Sequence, residues 1–456
     1  MPEATTGAVV GPTTTDLYEV SMALAYLREG MTRPATFSCF VRDLPPGRGF
    51  LVAAGVEPVL DFLARYRLGP AEIEVFAEAL RRPARELAPL LGLRFTGEVR
   101  AVPEGRVVLP GEPLLEITAP LPQAQLAETF VLNQLSHQTA IASKAVRCVL
   151  AARGRPVVDF SLRRTHGTEA GYQAARLTAL AGFAGTSNVA AAHAERLPAV
   201  GTMAHSYVEA FEDEEAAFLA FARAHPGPVT FLVDTYDTDS GVAAAARVLH
   251  TLGRAAGSAI RLDSGDLAAQ AFRARAMLDR AGLPEVRIVA SGGLDEFAVD
   301  DLVRSGAPVD VFAVGTRVGV SADAPYLDSA YKLVAYDGRP VMKLSAAKVS
   351  APGRKQVFRG PGCRDVIGLA EEAAPAGTVP LLETLMRDGV RCAPRAPLAD
   401  ARARLAADLA ELPAAARALR SPVPVRPSVS PRLAALTARV RRRIERAVLA
   451  PYGHPA

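Results

Sequence analysis

Between residues 157 and 335 short apolar runs recur, at 157–160, 199–201, 230–233, 259–262, 287–290, 309–314 and 331–335, and Ala-rich helical segments separate most of them. Strands that alternate with helices form parallel βα units. Runs this apolar belong to strands covered on both faces. Six or seven such units imply an α/β fold, either a parallel barrel or a doubly wound sheet. Nearly every run is followed at once by a polar or glycine-bearing segment, beginning at Ser161, Thr202, Asp234, Asp263, Ser291 and Gly315. In either fold the carboxyl ends of the strands share one face, where ligands bind. The motifs therefore predict an active site there.

The flanks read differently. Residues 36–41 alternate as a half-buried strand does, 56–68 form an amphipathic helix, 97–119 hold three short β-rich runs, and 123–153 make one long helical region. Beyond residue 360 the chain is rich in Pro, Ala and Arg. Segments 397–419, interrupted at Pro413, and 431–449 are expected as helices packed on the outside. The expected domains are an N-terminal α+β domain over 1–122, which C-terminal residues can complete, a barrel over 123–360 and a helical extension over 361–456.

At 456 residues the chain exceeds one ordinary core. A net charge of +4 is mild, so nucleic acid is not an expected partner, and the Arg441-Arg442-Arg443 cluster reads as a solvated helix face. No apolar stretch reaches membrane-spanning length, and residues 1–19 lack a signal-peptide pattern. Cys39, Cys148, Cys363 and Cys392 lack metal-type spacing. A cytoplasmic protein with reduced thiols is expected. Lysine is rare, and four of the five lysines, Lys332, Lys343, Lys348 and Lys355, fall within 24 residues. That clustering is read as phosphate handling by a mobile point charge.

The strand-end residues carry the chemistry. Ser291-Gly292-Gly293 and Gly315-Thr316 let backbone N–H groups approach an anion, and the last strands of a barrel are a frequent phosphate site. Asp234, Asp237, Asp239, Asp263 and Asp266 can hold Mg²⁺ beside a polyphosphate, bind ribose hydroxyls or cap helices. Asp263 is expected to be functional and Asp239 a pure cap. Arg163, Arg164 and Arg261 offer two-pronged donors to carboxylates and phosphates. Of seven histidines, His205 stands out because it follows a strand end between Thr202 and Ser206, where a neutral imidazole can act as base or nucleophile. Together these groups describe a site for a phosphorylated sugar and a second anion.

In order and spacing, Thr15-Asp16-Leu17-Tyr18, Arg163-Arg164-Thr165-His166-Gly167, the segment 201–206, Asp234 to Thr238, 261–267 and the Gly315-Thr316 turn resemble nicotinate phosphoribosyltransferases, as does the lysine-bearing stretch 331–359. The resemblance spans about Thr15 to Arg359. It implies an irregular α/β barrel with an N-terminal domain, and a homodimer with shared active sites. The implied reaction joins nicotinate to phosphoribosyl pyrophosphate (PRPP), gives nicotinate mononucleotide and pyrophosphate, and is coupled to ATP hydrolysis with Mg²⁺. It further implies His205 as the phosphorylated histidine, Tyr18 stacked on the pyridine ring, Thr202 and Arg261 on nicotinate, and Thr316 on PRPP. Gly293 stands where many relatives carry a polar residue.

The alternatives are nicotinamide or quinolinate phosphoribosyltransferase, a Schiff-base aldolase, and a non-catalytic relative that senses PRPP or nucleotides. Runs 157–290 hold no lysine for a Schiff base, and a paired Arg261 favours the acid over the amide.

Overall fold

The computed structural model describes residues 10–345 and 350–449. The chain divides into two compact units, one built from residues 1–139 and 326–456 and the other from 140–325. This division falls inside the long helix Glu128–Ala152 and ahead of strand Ser329–Tyr336, not at residues 122 and 360.

The second unit holds six parallel strands: β1 (Val157–Asp159), β2 (Gly185–Thr186), β3 (Thr230–Leu232), β4 (Ala259–Leu262), β5 (Arg287–Ala290) and β6 (Val311–Val314). Their order is β2-β1-β6-β5-β4-β3, every neighbouring pair being parallel. This is the cyclic order of a barrel, left open between β2 and β3. The expected strand at 199–201 is reduced to one parallel bridge from Ala199 to Thr186, while β2 escaped notice because it has only two residues.

Side chains alternate across each strand. Val158, Ala259, Val289 and Ala313 form a buried cluster on one face, packed against Phe160. The small side chains of Ala259 and Ala313 leave room above them, and the alternation puts Arg261 on that same face. On the other face, helices Thr238–Leu252 and Leu267–Arg280 pack against β4.

The first unit is organised by a seven-stranded antiparallel sheet, in the order Arg339–Pro340, Ser329–Tyr336, Pro34–Val41, Pro113–Pro120, Glu98–Ala101, Glu383–Arg387 and Val390–Arg391. Run 331–335 is therefore not a further parallel strand. It pairs antiparallel with Pro34–Val41, and Tyr331 stacks on Phe37 with ring centroids 4.8 Å apart.

The C-terminal segment also enters the core of this unit. Helix Pro431–Ile444 lays Leu433, Leu436 and Val440 on Ile367 and Leu369. In helix Leu398–Glu411, buried Asp408 accepts hydrogen bonds from Arg106, Arg359 and the Val107 N–H at 2.6–2.9 Å. Both helices lie on the outside, as expected, and each buries one stripe against the unit: Ala401, Leu405 and Asp408 on one, Leu433, Leu436 and Val440 on the other.

One member of the lysine cluster has a structural role. Lys355 is buried 3.3 Å from Glu116, a structural pair and not a phosphate ligand, and Lys332 sits in strand Ser329–Tyr336. Lys348 lies outside the described residues. Among the described residues no helix is long and apolar enough to cross a membrane.

Candidate active site

A cleft at the carboxyl ends of the parallel strands is lined by Phe160, Arg163, Arg164, Arg261, Asp263, Ser291, Gly292, Gly293, Gly315 and Thr316, among others. It holds about 510 Å³ of free space, part of it open to solvent. Motifs from four separate strand ends, β1, β4, β5 and β6, thus meet in one place.

Arg261 is its organising residue. It stands one step from the strand end and is 7% exposed. Its Nε donates to Ser291 Oγ at 2.8 Å, Nη1 to Thr202 Oγ1 at 3.0 Å and to the Met203 carbonyl at 3.4 Å, and Nη2 to Asp263 Oδ1 at 2.6 Å. The guanidinium lies 5.4 Å from the centre of the Phe160 ring. A buried guanidinium is tolerable only when paired and hydrogen-bonded, and these partners meet that need. Four of its five donors are used, which leaves one Nη2 hydrogen.

Asp263 also accepts from Ser291 Oγ, and its Oδ2 lies 3.8 Å from His205 Nε2. Burial raises the Asp263 pKa, but the Ser291 hydrogen bond and the Arg261 cation together outweigh it, so the carboxyl lies below its ordinary range. The other ring nitrogen of His205, Nδ1, is 3.2 Å from Thr235 Oγ1. His205 begins the short helix His205–Glu209 and is half-buried. Thr202 and His205 join the cleft through Arg261 and Asp263.

Asp234 underpins this arrangement. Its Oδ2 accepts from the Asp263 N–H and from Ser264 Oγ, both at 2.9 Å, while its Oδ1 is buried and has no hydrogen-bond partner among the described residues. Two of the remaining carboxylates are caps. Asp237 accepts from the Ser240 N–H at the start of helix Thr238–Leu252, and Asp266 from the Ala269 N–H at the start of Leu267–Arg280. Asp239, expected as the pure cap, lies inside the first turn and pairs instead with Arg273 at 3.2 Å.

Gly292 has φ +86°, and a Cβ there would lie 1.7 Å from the Asp263 carbonyl oxygen, so only glycine fits. Gly293 also has positive φ, yet a Cβ there would meet nothing within 4 Å. Gly315 leads into the short helix Thr316–Gly319. Arg317, the second residue of that helix, pairs with Asp295, whose other oxygen caps helix Glu296–Arg304 at the N–H groups of Phe297 and Ala298. Arg163 and Arg164 are exposed on the turn Leu162–Arg164. Tyr18 belongs to the first unit, on helix Leu17–Arg28, and is 47% exposed.

Phe160, Thr235, Asp295 and Arg317 were not singled out from sequence. Each follows or adjoins a strand-end motif, which is the signal that could have found them.

Residues 13–136 match the nicotinate phosphoribosyltransferase (NAPRTase) N-terminal domain, and residues 156–358 match the NAPRTase family. The chain is 50% identical over 396 residues to the Mycobacterium tuberculosis nicotinate phosphoribosyltransferase pncB2, covering 86% of this chain and 85% of that one. It is 34% identical to the human nicotinate phosphoribosyltransferase over 95% of this chain and 97% of that one. The crystal structure of human nicotinic acid phosphoribosyltransferase superposes with a TM-score of 0.80 at 32% identity, over 93% of this chain and 99% of that one. A nicotinate-nucleotide pyrophosphorylase from Pyrococcus furiosus superposes with a TM-score of 0.73 at 26% identity, over 88% and 95%. The chain therefore belongs to the nicotinate phosphoribosyltransferase family of NAD biosynthesis, and it is an enzyme, a transferase.

Proposed function

We propose that this enzyme joins nicotinate to PRPP and couples the transfer to ATP hydrolysis through a phosphohistidine at His205. The observation that best supports this is the single cleft in which three arginines, Asp263 and two glycine-bearing turns converge. Such a cleft suits a phosphorylated sugar together with a second anion.

In this reading the pyridine nitrogen attacks the anomeric carbon of PRPP, the bond to the pyrophosphate oxygen breaks, and nicotinate mononucleotide and pyrophosphate result. Arg163, the Ser291-Gly292-Gly293 turn and the Gly315-Thr316 turn bind the phosphates. The free Nη2 hydrogen of Arg261 and the Thr202 hydroxyl take the nicotinate carboxylate. Tyr18 stacks on the pyridine ring from the neighbouring subunit of a homodimer. Asp263, held ionised, opposes the positive charge that develops on the sugar.

Asp263, which lines the cleft, and Asp234, which accepts the Asp263 N–H behind it, are carboxylates suited to a divalent ion. Among the described residues no group of three or more metal-type side chains is present, but Asp234 Oδ1 is buried without a partner. Mg²⁺ binds through one or two carboxylates plus substrate phosphates, and here Asp234 or Asp263 would meet it. Bound with PRPP, it supplies charge neutralisation for the leaving pyrophosphate. His205 would accept the γ-phosphoryl group of ATP, releasing ADP. The new negative charge beside Asp263 and Arg261 would rearrange that pair and so link ATP cleavage to product formation.

The test is to incubate the protein with PRPP, Mg²⁺ and either nicotinate or nicotinamide, with and without ATP, and to quantify mononucleotide. Nicotinate mononucleotide that rises with ATP, and a His205→Ala variant that loses only the ATP effect, is the expected result. Product from nicotinamide alone would overturn the reading of Arg261. PRPP binding without turnover would point to a sensing relative.

A further inference from the structure

Asp159 is the last residue of β1 and its exposure is 0%. It faces away from Phe160 and Arg261, on the helix-covered side of the sheet. Among the described residues it has no ion pair. Its two partners are neutral: Oδ1 accepts the Ser161 N–H at 2.9 Å, and Oδ2 accepts the Thr186 hydroxyl at 2.7 Å. Burial raises its pKa, and hydrogen bonding from Ser161 and Thr186 offsets only part of that effect. A carboxylate buried without a cation is costly, so its position demands an explanation that packing does not supply.

The two hydrogen bonds go to two different strand ends. Thr186 Oγ1 in turn accepts the Asn188 N–H at 3.1 Å, and Asn188 caps helix Val189–Glu195. The bond to Ser161 fixes the start of the turn Leu162–Arg164, which the Arg164 N–H closes onto the Ser161 carbonyl at 2.9 Å. That turn is wedged from the other side as well. A Cβ at Gly319 would lie 2.6 Å from Ser161 Cβ and 2.8 Å from Thr165 Cγ2, so the helix after Thr316 lies directly against it. The Phe160 N–H donates to the Val314 carbonyl at 2.8 Å.

We infer that Asp159 is a positioning residue for the arginine pair: by clamping Ser161 to Thr186 it holds Arg163 and Arg164 opposite the Gly315-Thr316 turn, where the phosphates of PRPP bind. The inference rests on the proposed reading of these arginines. Asp159 touches no substrate and acts only through the turn. Long exposed side chains place their charge no better than the backbone beneath them, and the turn supplies that backbone.

The experiment is steady-state kinetics on Asp159→Ala, Asp159→Asn and Thr186→Val, with Arg163→Ala and Arg164→Ala as controls. Asp159→Ala loses both hydrogen bonds of the clamp and should raise the KM for PRPP about tenfold or more, and leave the KM for nicotinate within about twofold. The Asn carbonyl still accepts from Ser161 and its amide can donate to Thr186, so Asp159→Asn should recover most of the loss. Thr186→Val keeps the carboxylate and should show the same selective rise, smaller in size, which gives the test a second route if Asp159→Ala does not fold. An unchanged KM for PRPP, or an equal rise in both KM values, in whichever of Asp159→Ala and Thr186→Val folds, would overturn the inference. If the two arginine variants leave the KM for PRPP unchanged, the phosphate reading of the turn fails first and takes this inference with it. If they raise it and the clamp variants do not, the inference alone fails.

Discussion

Arg261 gathers a hydroxyl from the end of β5, a hydroxyl and a carbonyl from the segment before His205, and a carboxylate two residues further along the chain, just past its own strand. A lysine has three donors on one nitrogen and no planar fork, so it cannot reach Ser291, Thr202 and Asp263 together. Arg261→Lys should lower kcat/KM for nicotinate by a factor of about 10² to 10³, as loss of a buried, charged hydrogen-bond set does. A change within about threefold would show that charge alone suffices. Gly292→Ala probes the same network through the backbone, because its new Cβ collides with the Asp263 carbonyl. It should cost about 2–4 kcal/mol and appear as a lower thermal midpoint with loss of activity. A midpoint within a degree of the parent protein would refute the collision. Asp263 and His205 were legible in the sequence because each follows an apolar run, and Arg261 because it is the charged residue at the end of one. Thr235 and Phe160 were not, because their roles arise from distances across strands, which depend on the alternation and curvature of the sheet.

Among the elements, the parallel strands from β3 to β6 were legible because each is short, apolar and followed by a polar break. Run 331–335 has the same local appearance, yet its partner is Pro34–Val41, far away in the chain, and local pattern carries no information about such pairing. The helix that bears Tyr18 has a feature no periodicity displays. Glu19 is fully buried; its Oε1 accepts the Thr129 N–H at 2.9 Å and its Oε2 the Thr15 hydroxyl at 2.7 Å, which ties the start of Leu17–Arg28 to the first turn of Glu128–Ala152. Burial, opposed by the hydrogen bonds from Thr129 and Thr15, pushes the Glu19 carboxyl up from 4.5 to about 7. The folded chain then binds more protons than the unfolded one between those values, so stability falls as pH rises from about 4.5 to about 7 and is flat above. Glu19→Gln should remove that slope. Urea midpoints of parent and variant across pH 5 to 8 check it, and parallel curves would sink the assignment.

For the whole molecule, the two units differ in how much of them lies in contiguous sequence. Residues 140–325 form one unbroken stretch, and most of its plan could be read in order. The other unit is assembled from both ends of the chain, and a Pro-, Ala- and Arg-rich tail offers little periodicity to announce a core role. Charge carries that role. Asp408 accepts from Arg106, Arg359 and the Val107 N–H, while Arg359 also pairs with Asp365 at 2.7 Å and donates to the Val107 carbonyl at 2.8 Å. Asp408→Ala would leave two arginines and a buried N–H without their shared acceptor, at a cost of about 3–5 kcal/mol. Deleting residues 397–456 removes Asp408 together with Leu433, Leu436 and Val440, and so exposes Ile367 and Leu369. The deletion should leave the first unit open to limited proteolysis while fragments that contain 140–325 persist, and transferase activity should vanish if the enzyme requires both units. A shortened protein that resists protease as the full chain does, with activity intact, would mean that the tail is an appendage after all and that the Arg359 cluster closes without it.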